Sequence, residues 1–237
     1  MAEEKTGSFK PGLQAGASIA IGYFPIALTF GLLSKTTGLT LIETVLMSLI
    51  VYAGASQYMG LSLIAAGTSP FVIILTTFVV NIRHFLMTAA LSQKVEEQSK
   101  WKRGLFAFGI TDETFSVLAT RNGKIPIGYG FGVTFIAYAS WVVSSGIGYV
   151  IGANLPQFLQ ASMTVALYAM FIGLLVPSLK KSVKVLFLAV LSAVSNSIFT
   201  GYGVMEEGWS IIVSTLLSAV LVEIAETYKW KKRVEEK

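Results

Sequence analysis

Four long stretches of the chain, 11–34, 44–82, 125–179 and 185–205, carry no charged residue. An apolar helix needs about 20 residues to cross the hydrocarbon core of a bilayer. The first and fourth stretches each suit one crossing. The second and third are long enough for two crossings joined by a tight turn. The pattern predicts segments over roughly 12–33, 41–66, 70–92, 103–120, 127–152, 157–177, 183–200 and 209–228, with ends placed to within about 2–4 residues. The fourth is the poorest, because Asp112 and Glu113 interrupt it. Pro70 suits the start of a helix. Pro25, with Gly22 before it and Gly31 after it, predicts a kink in the first segment.

Composition agrees with the pattern. The chain is 54% hydrophobic and 13% charged, against about 25% charged in soluble domains. A transmembrane barrel would instead show alternating segments of about 10 residues. The expected fold is therefore all-α: a polytopic helical membrane protein with about eight membrane segments, one or two of them discontinuous or re-entrant. Residues 1–237 are read as one membrane domain. The opening "MAEEKTGSFKPG" is polar and acidic, so the first apolar run is expected to remain as a span. The absence of cysteine excludes disulfides and thiolate metal sites. The net charge of +5 fits the Lys/Arg bias of cytoplasmic loops rather than a nucleic-acid partner.

Lysine and arginine orient the chain. With eight full crossings, the two tails, "RNGK" and the Lys180–Lys184 loop share one side with 12 positive charges, and five fall opposite. Both tails, 1–11 and 229–237, are then cytoplasmic. The misfit is the loop Lys94–Arg103, which puts four of those five on the wrong side. If segments two and four were re-entrant hairpins, this loop would become cytoplasmic and the balance would be 16 to one. "YAGASQY" (Tyr52–Tyr58) and "GITDETF" (Gly109–Phe115) are the places where each would break, since irregular backbone within a membrane is tolerated where protein or a cavity surrounds it. A faint similarity between the runs ending at Asn81 and Asn196 hints at an internal repeat.

A few polar residues inside apolar segments need a reason. A charge near the bilayer centre costs about 2.5–3.5 kcal/mol on insertion scales. Arg83 lies near the middle of its segment; it either snorkels as a structural residue or lines a substrate path, where its planar fork matches a carboxylate. His84, the only histidine, is either an ordinary hydrogen-bonded ring or a proton carrier; alone it is no metal site. Asp112 and Glu113 are adjacent and point to different faces, so at most one is expected to meet Arg83. They are either wet interfacial acids or counter-ions and proton carriers facing the interior. Ser56 and Gln57 sit among small residues that either pack helices closely or mark unwound backbone that binds the polar end of a ligand. Asn81 and Asn196 also need partners. Glu43, Glu223 and Glu226 lie near segment ends and read as interfacial. No motif for bond chemistry, metal or nucleotide binding is present, so no enzyme activity and no cofactor is expected.

"GYFPIALTFGLL", "MSLIVYAGASQ", "VVNIRHFLM" and "GITDETF", in this order and spacing, resemble the AzlC family, which includes large subunits of branched-chain amino-acid exporters. The resemblance is dense from Gly22 to Phe115. It implies a secondary transporter of the bacterial cytoplasmic membrane that exports leucine, isoleucine and valine, with methionine as a further candidate. It also implies a small AzlD-type membrane subunit as partner. A zwitterionic substrate needs a site for its carboxylate, one for its ammonium and an apolar pocket. Arg83 suits the first; Asp112 or Glu113 suits the second; Phe, Leu and Met side chains suit the third. On this reading Arg83, Asn81, Gln57, Ser56 and Asp112 contact substrate, and His84, Asp112 and Glu113 handle protons. Two other classes stay open: a channel or uniporter for a small polar solute, and a membrane assembly subunit that transports nothing.

Overall fold

The computed structural model describes residues 9–97, 99–151, 182–205 and 207–235, with scattered positions between 154 and 180. The described helices are α1 (Phe9–Thr36), α2 (Leu41–Ile50), α3 (Gly54–Ala65), α4 (Pro70–Ser92), α5 (Lys100–Phe108), α6 (Asp112–Ala119), α7 (Ile127–Ile151), α8 (Val183–Gly201) and α9 (Glu207–Glu235). Two short strands, β1 (Val95–Glu96) and β2 (Ile125–Pro126), pair in parallel. By internal contacts the chain forms two compact units, residues 1–62 with 80–167, and residues 63–79 with 168–237.

The first unit is built on α1 and α7. Glycines let their backbones approach. A Cβ at Gly12 would strike Tyr129 and Gly132; one at Gly16, Val133 and Ile136; one at Gly31, Ser145 and Tyr149; one at Gly148, Leu28. Small residues are what such close helix packing needs in a membrane, where no hydrophobic effect drives helices together. The contacts rise together along both helices, so α1 and α7 run parallel. Ser140 Oγ donates to the Ala20 carbonyl at 2.7 Å and adds an interhelical hydrogen bond. Pro25 lies within α1, which continues across it unbroken.

Against this pair the second expected segment is not a single helix. Thr40 and Glu43 form a reciprocal capping box that starts α2; Glu43 is thus a cap residue as well as an exposed acid. α2 descends beside α7, from Val45 next to Gly146, through Ser48 bonded to Ser145, to Leu49, whose carbonyl accepts from Tyr138. At Tyr52 the backbone enters the left-handed region, φ 42°, which a tyrosine rarely occupies. The chain then reverses. Gln57 on α3 reaches back to Ser48, and Gly60 lies against Met47. In one straight helix, Met47 and Gly60 would be about 20 Å apart. α2 and α3 are therefore the two arms of a hairpin.

The fourth expected segment also reverses. Lys94 Nζ donates to the Ala119 carbonyl, Lys124 Nζ donates to the Gln93 carbonyl, and β1 pairs with β2. These contacts bring the end of α4, both ends of the α5–α6 pair and the start of α7 together. Its tip reaches inward, with Gly109 against Thr134 and Phe108 against Tyr138. Thr111 and Thr114 cap the first turn of α6. The two hairpins thus enter the α1–α7 frame from opposite ends. Their tips meet at an aromatic cluster: Tyr52–Tyr138 at 4.8 Å, Phe108–Tyr138 at 5.8 Å and Tyr52–Phe108 at 6.1 Å between ring centres.

In the second unit α8 and α9 run antiparallel, with Lys184 bridging Glu223 and Glu226 at 2.6 and 3.1 Å. The start of α9 packs on Leu63, Val72 and Thr76 through Gly208. Phe187, Val190, Val194 and Ile198 on α8 remain exposed.

Eight crossings are not what the described residues show. Five helices are long and apolar enough to span: Phe9–Thr36, Pro70–Ser92, Ile127–Ile151, Val183–Gly201 and Gly208–Thr227. The expected segment at 157–177 falls largely outside the described residues. The expected segments two and four are replaced by hairpins, because the backbone reverses at Tyr52 and again between Phe108 and Asp112. The α1–α7 contact supplies a test. Gly31→Ala forces a Cβ into the Ser145 carbonyl and should lower the thermal midpoint by about 5 °C, as over-packing of about 1–3 kcal/mol does in a chain this size. Gly22→Ala, which meets nothing within 4 Å, should leave it unchanged. Thermal unfolding of the two purified variants in detergent, beside the unsubstituted chain, checks both.

Candidate functional site

The hairpin tips bring polar groups to the middle of the first unit. In the first hairpin, Gln57 is fully buried. Its Oε1 accepts from the Ala53 N–H at 3.2 Å and from Trp141 Nε1 at 3.0 Å, and its Nε2 donates to Ser48 Oγ at 3.1 Å. Ser48 Oγ donates to Ser145 Oγ at 2.9 Å, and Ser145 donates to the Trp141 carbonyl at 2.7 Å. Breaking a helix inside a bundle leaves backbone donors bare. Gln57 satisfies one of them and ties the turn to α7. Ser56 Oγ lies 3.0 Å from both the Ala53 carbonyl and Asn81 Oδ1, which links the tip to α4.

The second tip carries the charge. Asp112 and Glu113 occupy the first turn of α6, where the helix dipole favours negative groups. Adjacent positions diverge, and these do. Asp112 Oδ2 pairs with an Arg83 terminal nitrogen at 3.1 Å. Glu113 Oε2 accepts from the Tyr23 hydroxyl of α1 at 2.5 Å. The Tyr23 oxygen also lies 2.7 Å from Thr111 Oγ1. Tyr23 has one proton and gives it to Glu113, so Thr111 is the donor in that second bond.

Arg83 is incompletely satisfied. Its Nε is buried and has no hydrogen-bond partner among the described residues, although the side chain as a whole is 39% exposed and that of Asp112 25% exposed. The pair therefore lies at the edge of open space. The buried Tyr52 hydroxyl likewise makes no hydrogen bond of good geometry among the described residues, although the Tyr23 hydroxyl and Glu113 lie beside it. His84 is half-buried, with Arg83 and Glu113 as its charged neighbours. With the ring neutral, the cluster holds one positive and two negative groups.

Of the residues singled out from sequence, Arg83 and Asp112 form an ion pair, Ser56 and Asn81 meet across the first tip, and Glu113 and His84 join the charged cluster. Gln57 is spent on the hairpin's own backbone and on Trp141. Asn196, on α8 in the second unit, leaves a buried Oδ1 without a partner among the described residues. Sequence reading missed Tyr23, Tyr52, Ser48, Thr111, Trp141 and Ser145. Their signals were weak: a tyrosine directly before "AGAS", a Thr-x-x-Thr capping pattern at 111–114, and a tryptophan flanked by Ser140, Ser144 and Ser145 inside an apolar run.

The family model described as AzlC protein matches residues 18–155, which run from within α1 through both hairpins to the end of α7. The inner membrane protein YgaZ of Escherichia coli is 33% identical over 182 residues, covering 73% of this chain and 74% of that one. An uncharacterized membrane protein of Archaeoglobus fulgidus is 31% identical, covering 74% and 78%. The branched-chain amino acid transport protein AzlC of Bacillus subtilis is 24% identical, covering 75% and 70%. No solved structure matches. A chain whose helices span by length and composition, and whose hairpin frame coincides with the matched region, is thus a membrane protein of the AzlC family.

Proposed function

We propose that this chain is a secondary transporter that exports branched-chain amino acids across the cytoplasmic membrane, coupled to protons. One observation carries the reading. Where the two hairpin tips meet, a partly buried, incompletely satisfied arginine of α4 lies beside two acids in an apolar frame. Charges at such a depth are expensive and mark substrate or ion paths. The printed name of the Bacillus subtilis relative supports the substrate class.

The roles follow from chemistry. Arg83 offers its unpaired edge to the substrate carboxylate, with Asp112 as its counter-ion when the site is empty; a charge-assisted bidentate contact is stronger than a neutral one. An acid of the tip, Asp112 or Glu113, balances the substrate ammonium. The negative charge of that acid is balanced locally either by that ammonium or by a proton. Alternation between the two is the simplest basis for exchange of substrate against protons, with His84 beside both groups. Asn81 and Ser56 line the first tip, and Gln57 keeps that tip in place. Phe, Leu and Met side chains around the tips supply the apolar pocket. A small AzlD-type membrane subunit completes the transporter.

Orientation adds to the proposal. If both hairpins return to the side they start from, Lys94–Arg103 joins the tails, "RNGK" and Lys180–Lys184 on the cytoplasmic face, with 16 positive charges against Lys35 alone. The chain lacks cysteine, so single introduced cysteines report cleanly. In intact cells a cysteine at Lys100 or Lys124 should resist an impermeant thiol reagent, and one at Lys35 should label. Labelling at Lys100 would overturn the orientation.

Function is tested on the ion pair. Arg83→Lys keeps the charge and loses the fork; leucine efflux, normalised to protein in the membrane, should fall about tenfold or more. Asp112→Asn should reduce it similarly. Wild-type efflux from Arg83→Lys would make Arg83 a structural residue and remove the basis for the reading. Efflux that ignores the proton gradient would replace the antiporter with a uniporter.

A further inference from the structure

Tyr52 stands out among the interior groups. It is 3% exposed and sits at the reversal of the first hairpin with φ 42°. A side chain at positive φ is strained, and such strain persists where surrounding structure imposes it, often at functional sites. Its ring is fixed edge-on to Tyr138 and beside Phe108 of the opposite tip. That packing carries the hydroxyl to the Tyr23–Glu113 pair, with the Tyr23 hydroxyl beside it, yet it makes no hydrogen bond of good geometry among the described residues. Leaving a buried hydroxyl unmade is costly, and a phenylalanine would fill the same space without that cost.

The neighbouring acid is also unfinished. Only Oε2 of Glu113 takes the Tyr23 proton. The Tyr23 oxygen is supplied by Thr111, so the local donors are already spent on Glu113 and Tyr23. What the spot lacks is a cationic donor with several N–H groups. It presents two acceptors to such a group, the Tyr52 oxygen and the Glu113 carboxylate.

We propose that Tyr52 and Glu113 form the amino-group subsite of the transporter. The Tyr52 hydroxyl oxygen and the Glu113 carboxylate accept hydrogen bonds from the substrate's ammonium, while Arg83 holds its carboxylate. This rests on the amino-acid transport reading above and adds a residue and a division of labour to it. Asp112 stays with Arg83 as counter-ion, and Glu113 rather than Asp112 reads the ammonium. The hydroxyl is shielded in the present state, so substrate reaches it when the hairpin tips part, and the site closes on the bound ammonium.

The test uses the full chain together with its small AzlD-type subunit in membrane vesicles, with three ligands: leucine, leucinamide, which keeps the ammonium and lacks the carboxylate, and 4-methylpentanoate, which keeps the carboxylate and lacks the ammonium. Tyr52→Phe removes one oxygen and keeps the ring. The half-saturating leucine concentration should rise about tenfold, the worth of one hydrogen bond to a charged group. Inhibition of leucine flux by leucinamide should weaken equally, and inhibition by 4-methylpentanoate should not change. The thermal midpoint should stay level or rise, because no bond is lost in the empty protein. Arg83→Lys should give the mirror image, weakening 4-methylpentanoate and sparing leucinamide. Unchanged leucine affinity in Tyr52→Phe, equal weakening of all three ligands, or a clear fall in its thermal midpoint would each overturn the subsite while leaving the transport reading intact. If leucine and leucinamide are without effect on the unsubstituted chain, the transport reading fails and the subsite falls with it.

Discussion

Backbone amides freed inside a membrane must find partners within the protein, and the structure depends on how this is met at two points. The chain reverses near Tyr52 and again between Phe108 and Asp112. Each reversal strips hydrogen bonds from the helix that follows it. At the first, the Gln57 side chain takes the Ala53 N–H and anchors itself to Trp141 and Ser48. At the second, Thr111 and Thr114 cap each other's backbone. Without those side chains the breaks would be unaffordable, and α2–α3 and α5–α6 would have no reason to stop halfway.

The frame that receives the hairpins meets the complementary requirement. α1 and α7 touch backbone to backbone through Gly12, Gly16, Gly31 and Gly148. The contact is parallel, and Tyr23 and Trp141 project from it toward the tips, their rings 5.2 Å apart. The hairpins enter from opposite ends, so α3 and α6 both begin in the interior. Both half-helices turn their positive N-terminal ends to the same region. Two carboxylates can sit there with a single arginine because the dipole of α6 lowers their cost. The same geometry suits a zwitterion, which brings both signs of charge and leaves the net balance unchanged.

The polar residues divide into two kinds. Gln57, Ser48, Ser145 and Thr114 are satisfied by protein and hold the tips. Arg83 and Tyr52 each retain a buried atom with no hydrogen bond of good geometry among the described residues, and Glu113 is bonded to Tyr23 through Oε2. Buried polar groups in proteins are usually satisfied, so the unsatisfied ones are where a ligand adds most. This division could not be read from residue type. Gln57 and Tyr52 lie five positions apart, and the polar-looking one is the scaffold while the aromatic one faces the charged cluster.

Much of the architecture was nonetheless legible in the sequence. The expected segments 12–33, 70–92, 127–152 and 183–200 fall within about three residues of α1, α4, α7 and α8, because the length of a span is set by bilayer thickness and needs no tertiary information. The family was legible from "YAGASQ", "VVNIRHFLM" and "GITDETF". The expected divergence of Asp112 and Glu113 followed from helix geometry alone. Whether segments two and four cross or turn back was not legible. Both outcomes bury the same apolar residues, and hydropathy does not register a reversal made by one tyrosine at positive φ. Nor could the sequence pair Tyr23 with Glu113, ninety positions apart, or assign Asp112 rather than Glu113 to Arg83. Those choices arise when the parallel contact of α1 with α7 and the opposed entry of the hairpins bring distant segments to one depth. The sequence by itself determined which residues could enter a membrane and which polar groups would need partners there; only the tertiary structure decided which partners they found.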